Sequence, residues 1–489
     1  MGKRKHEEVE ATSSSTEIQS IFDHIASESW KFESVELERL IGLFADCKDD
    51  TTQIENVVSK LDQKVVTNLL CAYNATCEDK DKLILSVLES IEKSGYNLIS
   101  LHPLLFGKKS EDYYTNMRKL GTSLHVRLKP DEVLQLYLSP GQLWTTVRNH
   151  VRELSEDVEE TIYDVKFILR LFISLLQPAS LLTCKLFVEH NGLSLLFSCT
   201  SSPDVTIRTL AFCALQDYLN LLQELKTEIF AEKPLIVYLI RMFKQSFDKA
   251  TPRISNIISH FFARVSKLIL HPDCAVYSQI MAFLCMKPIF DIDSVPEFYK
   301  LLFSSSPEHH LEEREWILTL IAEAMIDPMD YNILQRRNGI RLLTSTFAAT
   351  YCDQKSRSLI LGTLKKCAKM PSVAHDLFHG EAVPLWIASC IQNKRLTKWE
   401  KNYLAQIFGI ILQNERKYQR GAKGKSEVCD ATLVIAEVCS RPIMQLLQEI
   451  AETEDTKFAS ERTKAAATLE VIQDVTSKKW KQKKKHVKV

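Results

Sequence analysis

The segment SPDVTIRTLAFCALQDYLNLLQEL, residues 202–225, is the stretch of the sequence that decides the fold. Its apolar side chains recur at three- and four-residue steps, which places them on one face of an α-helix. Ser202 is predicted to be the N-cap, Pro203 presets the first helical dihedral, and the carboxylate of Asp204 suits the positive helix end. The predicted apolar face consists of Ile207, Leu210, Ala211, Ala214, Leu215, Tyr218 and Leu222.

Similar amphipathic segments follow one another along the chain, and joints containing proline, such as Pro252, Pro371 and Pro442, separate many of them. A helix with one apolar face cannot bury that face alone, so the pattern predicts an all-α, armadillo/HEAT-like α-solenoid of stacked helix pairs. A compact helical domain without repeats is the alternative. Helices are predicted at 34–44, 54–72, 80–93, 233–247, 253–270, 312–325, 331–348, 356–369, 398–413, 427–439 and 441–450.

The composition supports this prediction and excludes several classes of protein. The 489 residues include only 13 glycines and 15 prolines, fewer than sheet-rich folds use in tight turns, and 45% of the chain is hydrophobic, which excludes global disorder. No apolar stretch reaches the roughly 20 residues that a membrane span needs. The 13 cysteines form no CxxC pair, which excludes the common zinc-ribbon and thioredoxin sites. Most lie among Leu, Phe and Ile, where reduced thiols are expected to be buried in the core, and this predicts an intracellular protein; they include Cys184, Cys199, Cys213, Cys285 and Cys390.

The predicted organisation has five parts. Residues 1–17 are a disordered leader with a short basic signal, and residues 18–150 form an N-terminal helical part of the solenoid. Residues 151–457 form the regular α-solenoid, 458–475 a terminal helix, and 476–489 a disordered lysine-rich tail.

Basic residues are concentrated at the two ends, although the formal net charge is zero. Without the seven lysines of residues 478–489 the chain carries 55 basic against 62 acidic side chains, and without Lys3, Arg4 and Lys5 it carries 52. The tail, with a basic loop predicted over 414–426, is expected to bind RNA phosphates or to serve as a nucleolar address. The residues concerned are Lys478, Lys479, Trp480, Lys481, Lys483, Lys484, Lys485, Lys488, Arg416, Lys417, Arg420, Lys423 and Lys425, with Lys3, Arg4 and Lys5 as an N-terminal signal.

Three other segments carry residue types that are used in catalytic, nucleotide or metal sites. The string at 419–426 ends like a nucleotide-binding loop but lacks the first glycine and a preceding strand, so nucleotide binding is not expected. The HHLEERE segment at 309–315 has no HExxH spacing, and a helix start rich in acids is favoured over a metal site. His375 and His379 lie one helical turn apart with Asp376 and Glu381 nearby, and solvent-facing histidines are favoured there over a zinc pair. No catalytic set has a recognisable signature, and no cofactor or metal is expected.

Some segments resemble a known family. Residues 69–107, 163–178 and 295–337 look like the C-terminal region of the nucleolar pre-ribosomal-associated protein family. Its most distinctive string is matched here by Glu313, Arg314, Glu315 and Trp316, continuing to Leu318. The resemblance covers roughly residues 65–415.

The resemblance implies a non-catalytic, armadillo-like scaffold in the nucleolus that acts in early assembly of the pre-60S particle. It implies maturation of large-subunit and 5.8S ribosomal RNA, with assembly factors including RNA helicases and pre-ribosomal RNA as partners, and no membrane or small-molecule substrate. Family members are usually much longer, with an N-terminal solenoid that has no counterpart here. A nuclear peptide-binding transport or adaptor solenoid without RNA contact is the alternative. Trp316 is expected to be a core residue more than a contact, and Arg314 to pair with an acid of a neighbouring repeat.

Overall fold

A computed structural model shows an all-α chain, which confirms the predicted fold class. In the part of the chain that it describes, the elements are α-helices and short 3-10 turns, and the only β-type pairing is an isolated bridge between Thr76 and Tyr163. The residues described are 16–27, 32–46, 55, 57–121, 124–151, 161–178, 182–249, 251–286, 290–421, 430–452 and 459–476.

The helices belong to two units. The first unit comprises Met1–Arg253 and Phe262–Pro272, and the second comprises Ile254–Phe261 and Asp273–Val489. The domain boundaries predicted from the sequence stay predictions.

In the first unit, helical residues 16–27 precede the labelled helices. Each helix packs on others close to it in the chain: α1 on α3, α6 on α9, α7 on α10, and α10 on α11. This pattern is that of stacked helix pairs. The helices of this unit are α1 (Ser34–Asp46), α2 (Gln63–Ala72), α3 (Asp79–Lys93), α4 (Glu111–Leu120), α5 (Pro130–Tyr137), α6 (Pro140–Asn149), α7 (Val165–Leu175), α8 (Cys184–Glu189), α9 (Gly192–Cys199), α10 (Val205–Glu224) and α11 (Lys233–Gln245).

Helix α12 (Asn256–Leu268) contributes residues to both units, and the remaining helices belong to the second unit. There, α15 packs on α18, α19 and α18 pack on α21, and α22 packs on α23. The helices are α13 (Tyr277–Met286), α14 (Phe298–Leu302), α15 (His310–Ala324), α16 (Pro328–Gln335), α17 (Gly339–Ala348), α18 (Gln354–Lys369), α19 (Pro371–His379), α20 (Val383–Ile391), α21 (Lys398–Gly421), α22 (Asp430–Ala451) and α23 (Ala459–Thr476).

Several local predictions need correction at helix ends. The N-cap of α10 is Asp204, whose carboxylate accepts a hydrogen bond from the backbone N–H of Thr206 at 2.8 Å, and not Ser202. The predicted helix at 331–348 is two helices, because Asn338 adopts a left-handed conformation with φ of 52°. The predicted helix at 54–72 is likewise interrupted, since Asp62 caps a new helix by accepting from the N–H of Lys64.

Two other helices are longer than predicted. Pro442 was expected to separate two helices but lies inside α22, where Cys439, Ile443 and Leu447 are all buried. Burial of one continuous apolar face on both sides of the proline outweighs the single backbone hydrogen bond that proline cannot make. Helix α21 continues to Gly421 instead of ending near residue 413.

The cysteines that the structure describes are free thiols. Cys184, Cys199 and Cys390 are buried as predicted, whereas Cys213 and Cys285, which were expected in the core, are exposed. Burial raises the pKa of the Cys184 and Cys390 thiols to about 11. Over the same described part of the chain, no helix combines the length and the apolar character that crossing a bilayer demands.

Candidate functional site

The family motif at the start of α15 points largely into the protein. Arg314 is only 4% exposed, and its guanidinium donates hydrogen bonds from Nε to the carbonyl of Leu302 and from Nη1 to the carbonyl of Tyr351, both at 3.2 Å. It also lies 5.2 Å from the centre of the Tyr351 ring and 3.9 Å from a carboxylate oxygen of Asp353. Arg314 therefore ties the last residue of α14 and the turn before α18 to α15.

The other motif residues divide between the surface and the interior. Glu313 is buried, whereas Glu315 is partly exposed and forms an ion pair with Lys355. Trp316 is half-buried and its ring meets that of Phe261 edge-on, with centroids 6.2 Å apart. Most of the motif thus serves packing within the second unit, with Glu315 as its solvent-facing member.

A buried carboxylate holds the next part of the resembling segment in place. Asp330 on α16 accepts hydrogen bonds from the side-chain amide of Asn256 at 2.9 Å and from the backbone N–H groups of Ile257, Ile326 and Asp327 at 3.1–3.3 Å. Burial first, and then the neighbouring charge of Asp327, raise its pKa to about 6, while the hydrogen bonds from Asn256 and the backbone oppose this rise. The contacts join the starts of α12 and α16.

The two arginines that follow α16 are paired with acids of one loop. Arg336 lies 2.8 Å from a carboxylate oxygen of Asp293, and Arg337 lies 3.9 Å from one of Asp291. Both guanidinium groups remain about half exposed, and Asn338, with its left-handed backbone conformation, follows directly after them. Their place at a helix end is a sufficient structural reason for the two cations.

The segment predicted to be a basic loop is helical as far as Gly421, since it forms the C-terminal part of α21. Its first side chains are held by the protein: Asn414 donates to the carbonyl of Ala368 at 2.8 Å, and Arg416 donates to Asp474 at 3.0 Å. Lys417 is exposed. The other predicted basic positions lie outside the described residues, or have side chains that do: Arg420, Lys423, Lys425, Lys478, Lys479, Trp480, Lys481, Lys483, Lys484, Lys485, Lys488, Lys3, Arg4 and Lys5.

Glu415, in the middle of this basic segment, is an acid with a side chain only 1% exposed. His375 Nδ1 lies 2.9 Å from its Oε2, and His379 Nε2 lies 3.1 Å from its Oε1. Gln419, one turn further along α21, donates to Oε1 at 2.6 Å, and the ring of Tyr418 stacks on that of His375 with centroids 4.6 Å apart. The two histidines thus face a buried carboxylate as well as solvent.

Sequence reasoning found the two histidines but missed Glu415. The two acids that the sequence placed near the histidines have other partners: Asp376 accepts a hydrogen bond from the hydroxyl of Tyr331, and Glu381 accepts hydrogen bonds from Gln335 and Arg341. Burial, followed by the hydrogen bond to Asp376, raises the pKa of the Tyr331 phenol. Extending the apolar rhythm of α21 would have revealed Glu415, because Phe408, Ile411 and Glu415 follow one another at helical steps on the buried face.

The other candidate segments look different in the structure. In the HHLEERE segment, His309 lies 3.3 Å from Glu312 on the surface, and His310 lies 3.1 Å from the carbonyl of Ser306. Gln419, at the start of the string compared with a nucleotide-binding loop, lies within α21, and residues 422–426 lie outside the described part. Among the described residues, the one cluster of three His, Cys, Asp or Glu side chains with converging ligand atoms is His375, His379 and Glu415.

The first unit contains an apolar groove beside α3 and α7 with a volume of about 350 Å³. Leu85 and Leu104 are partly exposed in it, and Glu89 and Glu92 on α3 also line it. The groove has room for an apolar segment, and its two carboxylates, which outnumber the one arginine of the lining, favour a segment that carries basic residues. Its other lining residues are Leu70, Leu88, Leu98, His102, Phe167, Arg170, Leu171 and Ser174.

Comparison with known proteins agrees with the resemblance noted from the sequence. Residues 193–386 match the model of the family described as nucleolar pre-ribosomal-associated protein 1. The human protein of that name is 26% identical over 376 residues, 74% of this chain and 16% of its own length, and the mouse protein is 26% identical over 361 residues. The chain therefore spans about a sixth of the length of these curated relatives.

One solved structure, the crystal structure of an engineered protein, aligns over 94% of this chain and 96% of its own. At 12% identity and a TM-score of 0.30 it supports no statement about the fold. The family match covers α9 to α19 with the Arg314 motif inside it, so the resemblance inferred from the sequence is confirmed: over these residues the chain is similar to the nucleolar pre-ribosomal-associated proteins.

Proposed function

We propose that the protein is a non-catalytic scaffold of the nucleolus that acts in early assembly of the pre-60S particle and in maturation of large-subunit and 5.8S ribosomal RNA. The match of residues 193–386 to the nucleolar pre-ribosomal-associated family carries this proposal, together with the all-helical fold. Stacked helices offer extended surfaces for several partners at once, which suits a protein that holds assembly factors together. We place it in the nucleus and nucleolus.

The charge distribution suggests which parts of the chain bind protein and which bind RNA. The body has an excess of acidic side chains once the terminal lysines are set aside, so its helical faces suit protein partners better than RNA. Pre-ribosomal RNA would bind the lysines of residues 478–489 and the exposed Lys417, with Arg420, Lys423 and Lys425 next to it in sequence. Arg416 is a weaker candidate than expected, because Asp474 already neutralises its charge.

The groove lined by Leu85, Leu104, Glu89 and Glu92 is proposed to bind an apolar and basic segment of an assembly factor, with RNA helicases among the candidates. Replacing Leu85 by glutamate places a charge on the groove floor and should reduce capture of that factor at least tenfold. Replacing Val205 by glutamate, on an exposed part of α10, is the matched control and should leave capture unchanged. Equal capture by the two variants would exclude this groove.

Depletion and fractionation test the scaffold function. The protein should sediment with large pre-60S particles, and its depletion should cause precursors of large-subunit and 5.8S ribosomal RNA to accumulate. Absence from these particles, or unchanged processing, would contradict the proposal. A nuclear adaptor solenoid that binds peptides and no RNA is the alternative, and bound peptide cargo without any RNA crosslink would support it instead.

RNA binding by the tail can be tested separately from its role as a nucleolar address. The seven lysines of residues 478–489 are replaced by glutamine in one variant and by arginine in the other, each fused to an independent nuclear signal. If the tail binds RNA through charge, the glutamine variant loses RNA crosslinks and the arginine variant keeps them, and binding weakens as salt rises. If both keep their crosslinks, the tail is an address only.

A further inference from the structure

We propose that His375, His379 and Glu415 form a site for a divalent transition-metal ion, with Zn²⁺ as the ion that suits it best. The site goes beyond the scaffold function and does not depend on it. His375 and His379 project from adjacent turns of α19, and Glu415 comes from α21, 36 residues beyond His379 in the chain. Imidazole nitrogens with a carboxylate oxygen are ligands that Zn²⁺ uses commonly in proteins.

The distances between the ligand atoms fit one ion. His375 Nδ1 and His379 Nε2 lie 2.9 Å and 3.1 Å from the oxygens of Glu415, and all three ligand atoms lie within 4.8 Å of one another. Bonds of about 2.0–2.1 Å around a tetrahedral Zn²⁺ place neighbouring ligand atoms about 3.3 Å apart. The two nitrogen–oxygen distances are already close to this value, and the widest separation, up to 4.8 Å, has to shorten by up to about 1.5 Å, which rotation of the partly exposed histidine side chains can supply.

Neighbouring residues hold the three side chains in position through a hydrogen bond and a ring stack, as residues around metal ligands commonly do. Gln419 donates to Glu415 Oε1 at 2.6 Å and orients the carboxylate, and the ring of Tyr418 stacks on His375 and restricts its rotation. Such contacts around the ligands raise metal affinity, because fewer side-chain rotations are lost on binding. Asp376 and Glu381, which could compete for the ion, accept hydrogen bonds from other residues.

A metal ion would also compensate the buried charge. The Glu415 side chain is 1% exposed, and its partners are the two imidazoles and the neutral amide of Gln419. Buried carboxylates are commonly stabilised by a paired charge or by a metal ion, and a cation bound here would supply that charge. The side chains of His375 and His379 are 41% and 35% exposed, so ions can enter from solvent and a water molecule can occupy the fourth position.

Binding would link α19 to α21 and stabilise the second unit. If the metal binds only the folded chain, a free metal concentration of 100 times the Kd should raise the apparent Tm by roughly 5–10 °C. The full chain is stripped with a chelator, dialysed against Zn²⁺ with a weak competing chelator, and analysed for metal content and thermal unfolding. The same sample loaded with Co²⁺ should show the visible absorption of a tetrahedral site with nitrogen and oxygen ligands.

Two site variants and one control decide the result. His379→Ala and Glu415→Gln should each lose one equivalent of metal, most of the Tm shift and the Co²⁺ absorption. His309→Ala, which removes a surface imidazole that also faces a carboxylate, is the matched control and should keep all three. Circular dichroism of the metal-free proteins shows whether each variant is folded, and His379→Gln replaces His379→Ala if that variant is not.

Equal metal content and equal Tm shifts in wild-type protein and folded His379 variants would overturn the proposal. Metal bound by the exposed thiols of Cys213, Cys274 or Cys285 would produce that result, since those ligands are present in all variants. A wild-type protein that takes up no ion under these conditions would also overturn it.

Discussion

Replacing Arg314 by methionine tests whether the family motif is a structural anchor or a contact for a partner. Methionine has a similar length and is readily buried, so the change removes the guanidinium without leaving a large cavity. It leaves the carbonyls of Leu302 and Tyr351 without the two hydrogen bonds of 3.2 Å, and it removes the cation from the face of the Tyr351 ring. Three connections between α15 and its surroundings are lost together.

The expected loss of stability follows from these contacts. A hydrogen bond from a charged donor contributes about 1.5–3 kcal/mol, and a partly desolvated cation over an aromatic ring contributes about 0.5–2 kcal/mol. Burial of the methionine side chain offsets part of the stabilisation that is lost with these contacts, so the free energy of unfolding should fall by about 3 kcal/mol. The ion pair with Asp353 adds little, because its charged atoms are 3.9 Å apart and the Asp353 side chain is 36% exposed.

Urea unfolding followed by circular dichroism measures this loss, which should lower the midpoint by about 1 M or more. Glu315→Gln is the matched control from the same motif, and should cost less than about 1 kcal/mol because its ion pair with Lys355 is partly exposed. RNA crosslinking and association with pre-60S particles are measured below the unfolding range of both variants. An Arg314→Met protein with wild-type stability that no longer binds its partners would refute the structural interpretation.

Three further changes test other parts of the structure. The pKa of Asp330 is raised from the ordinary value of 3.8 to about 6 in the folded protein, so between these pH values the folded chain holds a proton that the unfolded chain has released. The free energy of unfolding should therefore fall by roughly 2–3 kcal/mol as the pH rises from about 4 to about 6. Asp330→Asn should abolish this part of the pH dependence of urea unfolding. Gly192→Ala places a methyl group 2.5 Å from the ring of Phe187, and a loss of about 2–4 kcal/mol is expected in the same assay. Alkylation of the native protein followed by mass spectrometry should modify Cys213 rapidly and Cys199 only on unfolding, since Cys199 is fully buried and burial raises the pKa of its thiol; equal rates for the two would contradict the packing of α9 and α10.

Helices were predictable where the local pattern is strong, and their ends were less so. The periodicity of residues 202–225 correctly indicated a helix, but the cap was one of several nearby candidates, and the structure uses Asp204. Proline at position 442 is normally a reason to end a helix, and only the buried residues on both sides of it explain why α22 continues. The basic character of residues 414–426 suggested a loop, because charge alone does not show which face of a helix is buried.

The sequence by itself determined the helical fold class, the uneven distribution of charge and the family resemblance, since periodicity, composition and motifs are local properties that can be read along the chain. Only the tertiary structure decided where the chemically active side chains point. It buried Arg314 among the carbonyls of Leu302 and Tyr351, and it brought Glu415 to His375 and His379. Such contacts join residues that are 12 to 40 positions apart in the chain. They form only when particular helix faces pack together, and the pattern of a single helix does not specify the face of its partner.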